Sequence, residues 1–200
     1  SYVSGSWPPQ EKSLWKAKKV VDQLAAGHIL AYRRIHRIYK EKNLASPMVS
    51  IAKHTQAFET CAPTLKNKLA VYLRNRYFNE ALLRKLISAK TLDFIGINYY
   101  SRQLVDTRQW GLFHLFSDVC QNHCSRLPKN SLDWDIYPQG FLRILLNLKR
   151  FRLPVFVLEN GICTDDDAKR WDFIEQHLKC LAHAMGGGVS CLASVCSAGA

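Results

Sequence analysis

A chain of 200 residues, 48% hydrophobic, 11% aromatic and 22% charged, fits one domain or part of a larger one, because single domains run to about 100–200 residues. That composition excludes disordered, collagen-like and low-complexity proteins, and no apolar run approaches the roughly 18–20 residues that span a bilayer, so no membrane partner is expected. A net charge of +12 raises the expectation of polyanions as partners without choosing among nucleic acid, acidic lipid and acidic glycan.

Residues 1–13 hold Gly5, Pro8 and Pro9, which is loop chemistry, and Ser13 can cap a helix beginning at Leu14. With no initiator methionine and no signal-peptide pattern, the opening reads as the middle of a longer chain. From Leu14 to about Lys42, Val20, Val21, Leu24, His28, Leu30, Ala31, Ile35 and Ile38 recur at spacings of three and four, predicting a long amphipathic helix. Lys12, Lys16, Lys18, Lys19, Arg33, Arg34, Arg37, Lys40 and Lys42 are interleaved with them and read as its solvated face.

Met48–Ala52 has strand character and is followed by a looser polar segment. Thr64–Ser88 returns to helical spacing through Leu65, Leu69, Tyr72, Leu73, Tyr77, Phe78, Leu82, Leu83, Leu86 and Ile87. Leu92–Tyr100 is apolar or aromatic on both faces, as in a strand buried on both sides of a parallel sheet. Residues 101–133 show no clean period, the mark of a functional loop region. A turn at Tyr137-Pro138-Gln139-Gly140, a helix over Phe141–Arg150 and a second apolar strand at Pro154–Leu158 come next. Thr164 and Asp167 stand in capping-box spacing ahead of a helix from about Asp165 to Met185, which Gly186-Gly187-Gly188 stops. This alternation of helix and strand predicts a parallel α/β architecture.

Seven cysteines are an odd count in a chain long enough to fold without staples, and predict reduced thiols in a cytoplasmic protein. His114, Cys120, His123 and Cys124 lack a convincing zinc-ligand pair. Asp165-Asp166-Asp167 is the acidic start of a helix rather than a calcium loop. Neither a metal nor a cofactor is expected, and neither a P-loop nor a serine-nucleophile elbow occurs.

Asn98, Tyr100 and Glu159 carry the chemistry. Glu159 directly follows the Pro154–Leu158 strand, at the carboxyl end where α/β sheets and barrels place their active sites. Asn98 and Tyr100, two apart, share a strand face, and a tyrosine hydroxyl there can aim an ionised Glu159. The same residues admit a plainer reading, in which Glu159 caps a turn closed by Asn160-Gly161 and Tyr100 simply packs.

Val155-Phe156-Val157-Leu158-Glu159-Asn160-Gly161 resembles the nucleophile signature of family 1 glycoside hydrolases, the β-glucosidase family, with Leu158 where threonine is commonest. Asp93–Tyr100 is similar to the family's sixth-strand segment and Asp135–Phe141 to its Tyr-Pro-x-Gly turn. Arg170–Ile174, His177-Leu178 and Gly27-His28 match helical positions in the same order. The resemblance implies roughly the second half of a (β/α)8 TIM barrel over residues 1–185, followed by a divergent tail at 186–200. It further implies a β-glycoside substrate, Glu159 as nucleophile, Tyr100 as the group that orients it, and Asn98 and Tyr100 as substrate contacts. The family's Asn-Glu-Pro acid/base motif is absent, and residues 186–200 bring neither Trp nor Glu. The isolated chain is therefore expected to be inactive. The alternative is a catalytically dead, basic α/β module that binds a polyanion or a partner protein, since no specific nucleic-acid groove is evident.

Overall fold

The computed structural model describes residues 2, 3, 5, 8–120 and 125–193, the side chains of 192 and 193 excepted. Its elements are α1 (Leu14–Glu41), β1 (Ala52–Thr60), α2 (Leu65–Arg74), a π-helical turn (Asn75–Asn79), α3 (Ala81–Ser88), β2 (Ile95–Val105), α4 (Leu112–Ser117), α5 (Pro138–Leu148), a 3-10 turn (Lys149–Phe151), β3 (Val155–Asn160), α6 (Asp167–Gly186) and β4 (Cys191–Ala193). The strands form one sheet in the order β1-β2-β3-β4. β2 and β3 run parallel, as do β3 and β4, each pair joined through helix as parallel neighbours require.

The chain divides into two compact units. The first takes the described residues of 1–49, 58–92 and 104–124. Ser13 caps α1 as expected, its Oγ accepting from the Lys16 amide. Asp22 on α1 accepts from Lys85 on α3 at 2.7 Å. The core of this unit gathers Phe58, Ala70, Val105 and Leu115, and the buried Arg74 is satisfied by the carbonyls of Leu115 and Asp118 at 2.8 and 2.6 Å.

The second unit takes 50–57, 93–103 and the described residues from 125 onward. α5 and α6 pack together and cover one face of the sheet, where Tyr99 meets Phe141 and His177. His177 is buried, its Nδ1–H donating to the Phe173 carbonyl at 2.7 Å while Nε2 has no partner among the described residues. Burial pushes its pKa down to about 4. Gly140 admits this packing: a Cβ there would lie 2.6 Å from both Ala57 Cβ and Tyr99 Oη.

Several elements differ from the sequence reading. The first strand is Ala52–Thr60, beyond Met48–Ala52, because its site-side positions are polar and hide the apolar period. The predicted Thr64–Ser88 helix breaks at a π-helical turn, where Asn79 Nδ2 donates to Asn75 Oδ1 at 2.9 Å, and Thr64 itself is a cap. β2 continues to Val105, so residues 101–105 are strand, and α4 occupies part of the stretch without a period. Asp166 rather than Thr164 caps α6, accepting from the amides of Ala168 and Lys169. Among the cysteines, Cys61 is disulfide-bonded, while Cys120, Cys180 and Cys191 are free thiols. The reading of seven reduced thiols therefore fails, and with it the cysteine argument for a cytoplasmic setting. Cys124, Cys196 and His123 lie outside the described residues; His114 pairs with Asp118 at 3.1 Å. Among the described residues, no helix is long and apolar enough to cross a membrane.

Candidate active site

The site begins with a register shift. Ile97 of β2 pairs with Val157 of β3, yet the next residue, Asn98, pairs with Glu159. Leu158 is thus an extra residue, a bulge that re-aims the end of the strand. Were Leu158 paired in regular alternation, Glu159 would fall on the helix-covered face with Val157. With the bulge, Glu159 joins Asn98 and Tyr100, and Asn160 turns back to donate to the Tyr99 carbonyl at 2.8 Å. Gly96 makes room: a Cβ there would stand 2.6 Å from Leu158 Cδ1 and 2.5 Å from the Ile51 carbonyl oxygen.

Tyr100 donates its hydroxyl hydrogen to Glu159 Oε2. Burial, reinforced by that hydrogen bond and by the carboxylate's charge, pushes the Tyr100 pKa up to about 12, so the phenol stays a donor at neutral pH. Asn98 Oδ1 is buried with no partner among the described residues, an arrangement that costs free energy until a donor arrives. Sequence reasoning points to these three residues, and the fold brings them together on adjacent strands.

It misses four others. His54 on β1 lies over Tyr100 with ring centroids 6.0 Å apart and planes 25° from parallel, and Thr55 Oγ1 donates to the Asn98 carbonyl at 2.9 Å, tying β1 to β2 at that level. Trp134 stands 6.4 Å from the Tyr100 ring and is 44% exposed. Its loop is held by Asn130 Oδ1, which accepts from the amides of Leu132 and Trp134 at 2.9 Å, and by Arg102, which donates to Asp135 at 2.7 Å and lies over the Tyr137 ring. Trp134 sits one residue before the Asp135–Phe141 motif, and an aromatic residue there is the available signal. Arg102 continues the face of Asn98 and Tyr100, once β2 is known to extend. No group of three His, Cys, Asp or Glu side chains that could hold a metal occurs among the described residues.

At the end of a parallel strand, the Glu159 carboxylate thus accepts from a half-buried phenol beside an orphan amide oxygen. The model of glycosyl hydrolase family 1 aligns with residues 60–198. The chain belongs to glycosyl hydrolase family 1. Among its family 1 relatives, a β-galactosidase of Sulfolobus acidocaldarius is 34% identical over 104 residues, 49% of this chain and 21% of that protein. A chloroplastic galactolipid galactosyltransferase of Arabidopsis thaliana is 27% identical over 96% of this chain and 30% of its own length. The solved β-glycosidase from Pyrococcus horikoshii superposes with a TM-score of 0.82 at 27% identity, covering 98% of this chain and 47% of that one. The chain therefore spans less than half the length of these family 1 proteins, and its α/β fold is a partial family 1 TIM barrel. The family match also runs past Met185, into the segment expected to diverge.

Proposed function

We propose that this chain carries the nucleophile side of a retaining β-glycosidase site, with a β-glycoside as its carbohydrate substrate. Glu159 attacks the anomeric carbon, forming a glycosyl ester as the bond to the leaving oxygen breaks; water then releases the sugar with retained configuration. Tyr100 keeps one carboxylate oxygen occupied and so presents the other, and Asn98 Oδ1 accepts from a sugar hydroxyl. The observation that carries this reading is the Tyr100–Glu159 hydrogen bond across a bulge that turns the carboxylate to the site face. The chemistry runs on carboxylates and needs no cofactor.

Retaining enzymes use a second carboxyl roughly 5–5.5 Å away to protonate the leaving group, a step commonly worth about 10²–10⁴ in rate. The Asn-Glu-Pro motif that supplies it in the family is not in this sequence. A leaving group that departs unprotonated bypasses the need. The test is incubation of the chain with 2,4-dinitrophenyl 2-deoxy-2-fluoro-β-glucoside and, separately, the galactoside, followed by peptide mapping. One fluorosugar on Glu159 is expected; a label on any other carboxylate, or none, overturns the assignment. The galactosyltransferase that aligns over 96% of the chain supports a second reading, transfer of the sugar to an acceptor hydroxyl, and a disaccharide product in place of free sugar would favour it.

A further inference from the structure

We propose that His54 is a positioning residue for the nucleophile: its imidazole, lying over the Tyr100 ring, fixes the plane of the phenol whose hydroxyl grips Glu159. This rests on Glu159 being the nucleophile. A single hydrogen bond at the tip of a tyrosine leaves its ring free to swing about two torsions, so the direction of the donated hydrogen depends on what the ring leans against. Two described aromatic side chains flank Tyr100: Trp134, from a loop, and His54, from a strand. Only the strand-borne one is held by the sheet, because the Thr55 hydroxyl beside it locks β1 against the Asn98 carbonyl, two residues from Tyr100. Supports on strands place a reacting group more reproducibly than supports on loops.

The imidazole also senses the carboxylate. Among the described residues, Tyr100 from β2 and Glu159 from β3 face it, and Lys53 adjoins it on its own strand. Although His54 is exposed, the groups around it remove enough water to lower its pKa; Lys53 lowers it further, and Glu159 opposes both. A ring that stays largely neutral supports the phenol without offering the carboxylate a competing cation.

The experiment has two arms on the full chain. In the first, fluorosugar labelling of Glu159 is timed for the parent, His54→Ala and His54→Phe, with thermal melts alongside. His54→Ala is expected to slow labelling roughly 10- to 100-fold, the scale of a small misplacement of a reacting group, and His54→Phe, which keeps a flat ring, to restore most of the rate. An unslowed alanine variant, or a phenylalanine variant as slow as alanine, overturns the proposal. The second arm needs no turnover: the His54 Cε1–H resonance is titrated in the parent and in Glu159→Gln. Loss of the carboxylate removes a group that favours the imidazolium, so the midpoint should move to lower pH. An unmoved midpoint overturns the proposal even where a variant of His54 fails to fold. Absence of any label in the parent would count against Glu159 as nucleophile, and the titration would still decide whether His54 and Glu159 are coupled.

Discussion

Tyr100, half-buried, and His177, buried, show how differently two polar side chains can be used. Tyr100→Phe removes one hydroxyl and keeps nearly all of the packing, while Glu159 loses a charge-assisted hydrogen bond worth about 1.5–3 kcal/mol. Labelling of Glu159 should slow by roughly one to two powers of ten with the melting temperature little changed; an unchanged rate with a lowered melting temperature would make Tyr100 structural. His177 has no role in the site and acts on stability instead. Its folded pKa, about 4, lies below the ordinary 6.5, so on acidification the unfolded chain takes up the proton first. Stability should fall as pH drops from about 6.5 towards 4, by on the order of 3 kcal/mol. Below that, the folded form is protonated too and this slope ends. His177→Phe, which retains a flat ring against Phe173, should flatten the urea-denaturation midpoint across that window. Glu159 and Tyr100 are legible in the sequence because each belongs to a contiguous motif on a buried strand. His54 is not, because its only signal is a ring placed by a neighbouring strand.

Among the elements, β3 and β1 mark the two extremes of legibility. β3 opens with four apolar residues ahead of a carboxylate, a short β-branched run that reads as a buried strand. β1 alternates Thr55 and Ala57, buried, with His54 and Gln56, less so; its open face is polar because it borders the site, so hydrophobic periodicity points a few residues too early. The break between α2 and α3 is equally hidden, since Tyr77 and Phe78 keep the helical spacing through it, while the chain makes a π-helical turn in which the Asn79 side chain donates to that of Asn75. The bulge in β3 depends on Gly96, where a methyl group would press against Leu158 and the Ile51 carbonyl. Gly96→Ala should cost about 1–3 kcal/mol through overpacking, read as a lower melting temperature. It should also slow the labelling of Glu159, because the shift falls on the bulged residue next to it. Loss of stability without loss of labelling would mean the bulge yields elsewhere.

For the molecule as a whole, the +12 charge is the property least explained by the site. The basic residues of α1, from Lys16 to Lys40, are exposed, but so are Leu24 and Leu30 of the expected apolar face, and Ala25 is the one buried residue of this helix. Diffuse charge of this kind binds polyanions weakly, without regard to sequence, and loses affinity as salt rises. Fluorescence anisotropy with two unrelated DNA duplexes should give matching affinities that fall together with added salt. Salt-insensitive or sequence-selective binding would instead favour a polyanion-binding module over a glycosidase. Family membership and architecture are legible because several motifs lie in order along the chain. Their spatial supports are not, because those come from residues distant in sequence.

The extra residue in β3 gives the strand a lopsided tolerance to changes in length. What sets the side on which Glu159 emerges is its partner across the sheet, Asn98, and not a tally from Val155. A strand one residue shorter would alternate without interruption, Val157 followed at once by the glutamate, and would still set that carboxylate opposite Asn98. A strand one residue longer would have to fold two unpaired residues into the space that now holds one, or else send the carboxylate in among Phe141 and His177. Single-residue gaps in this segment are therefore compatible with the site, whereas single-residue insertions work against it, and natural length variation here should run toward loss.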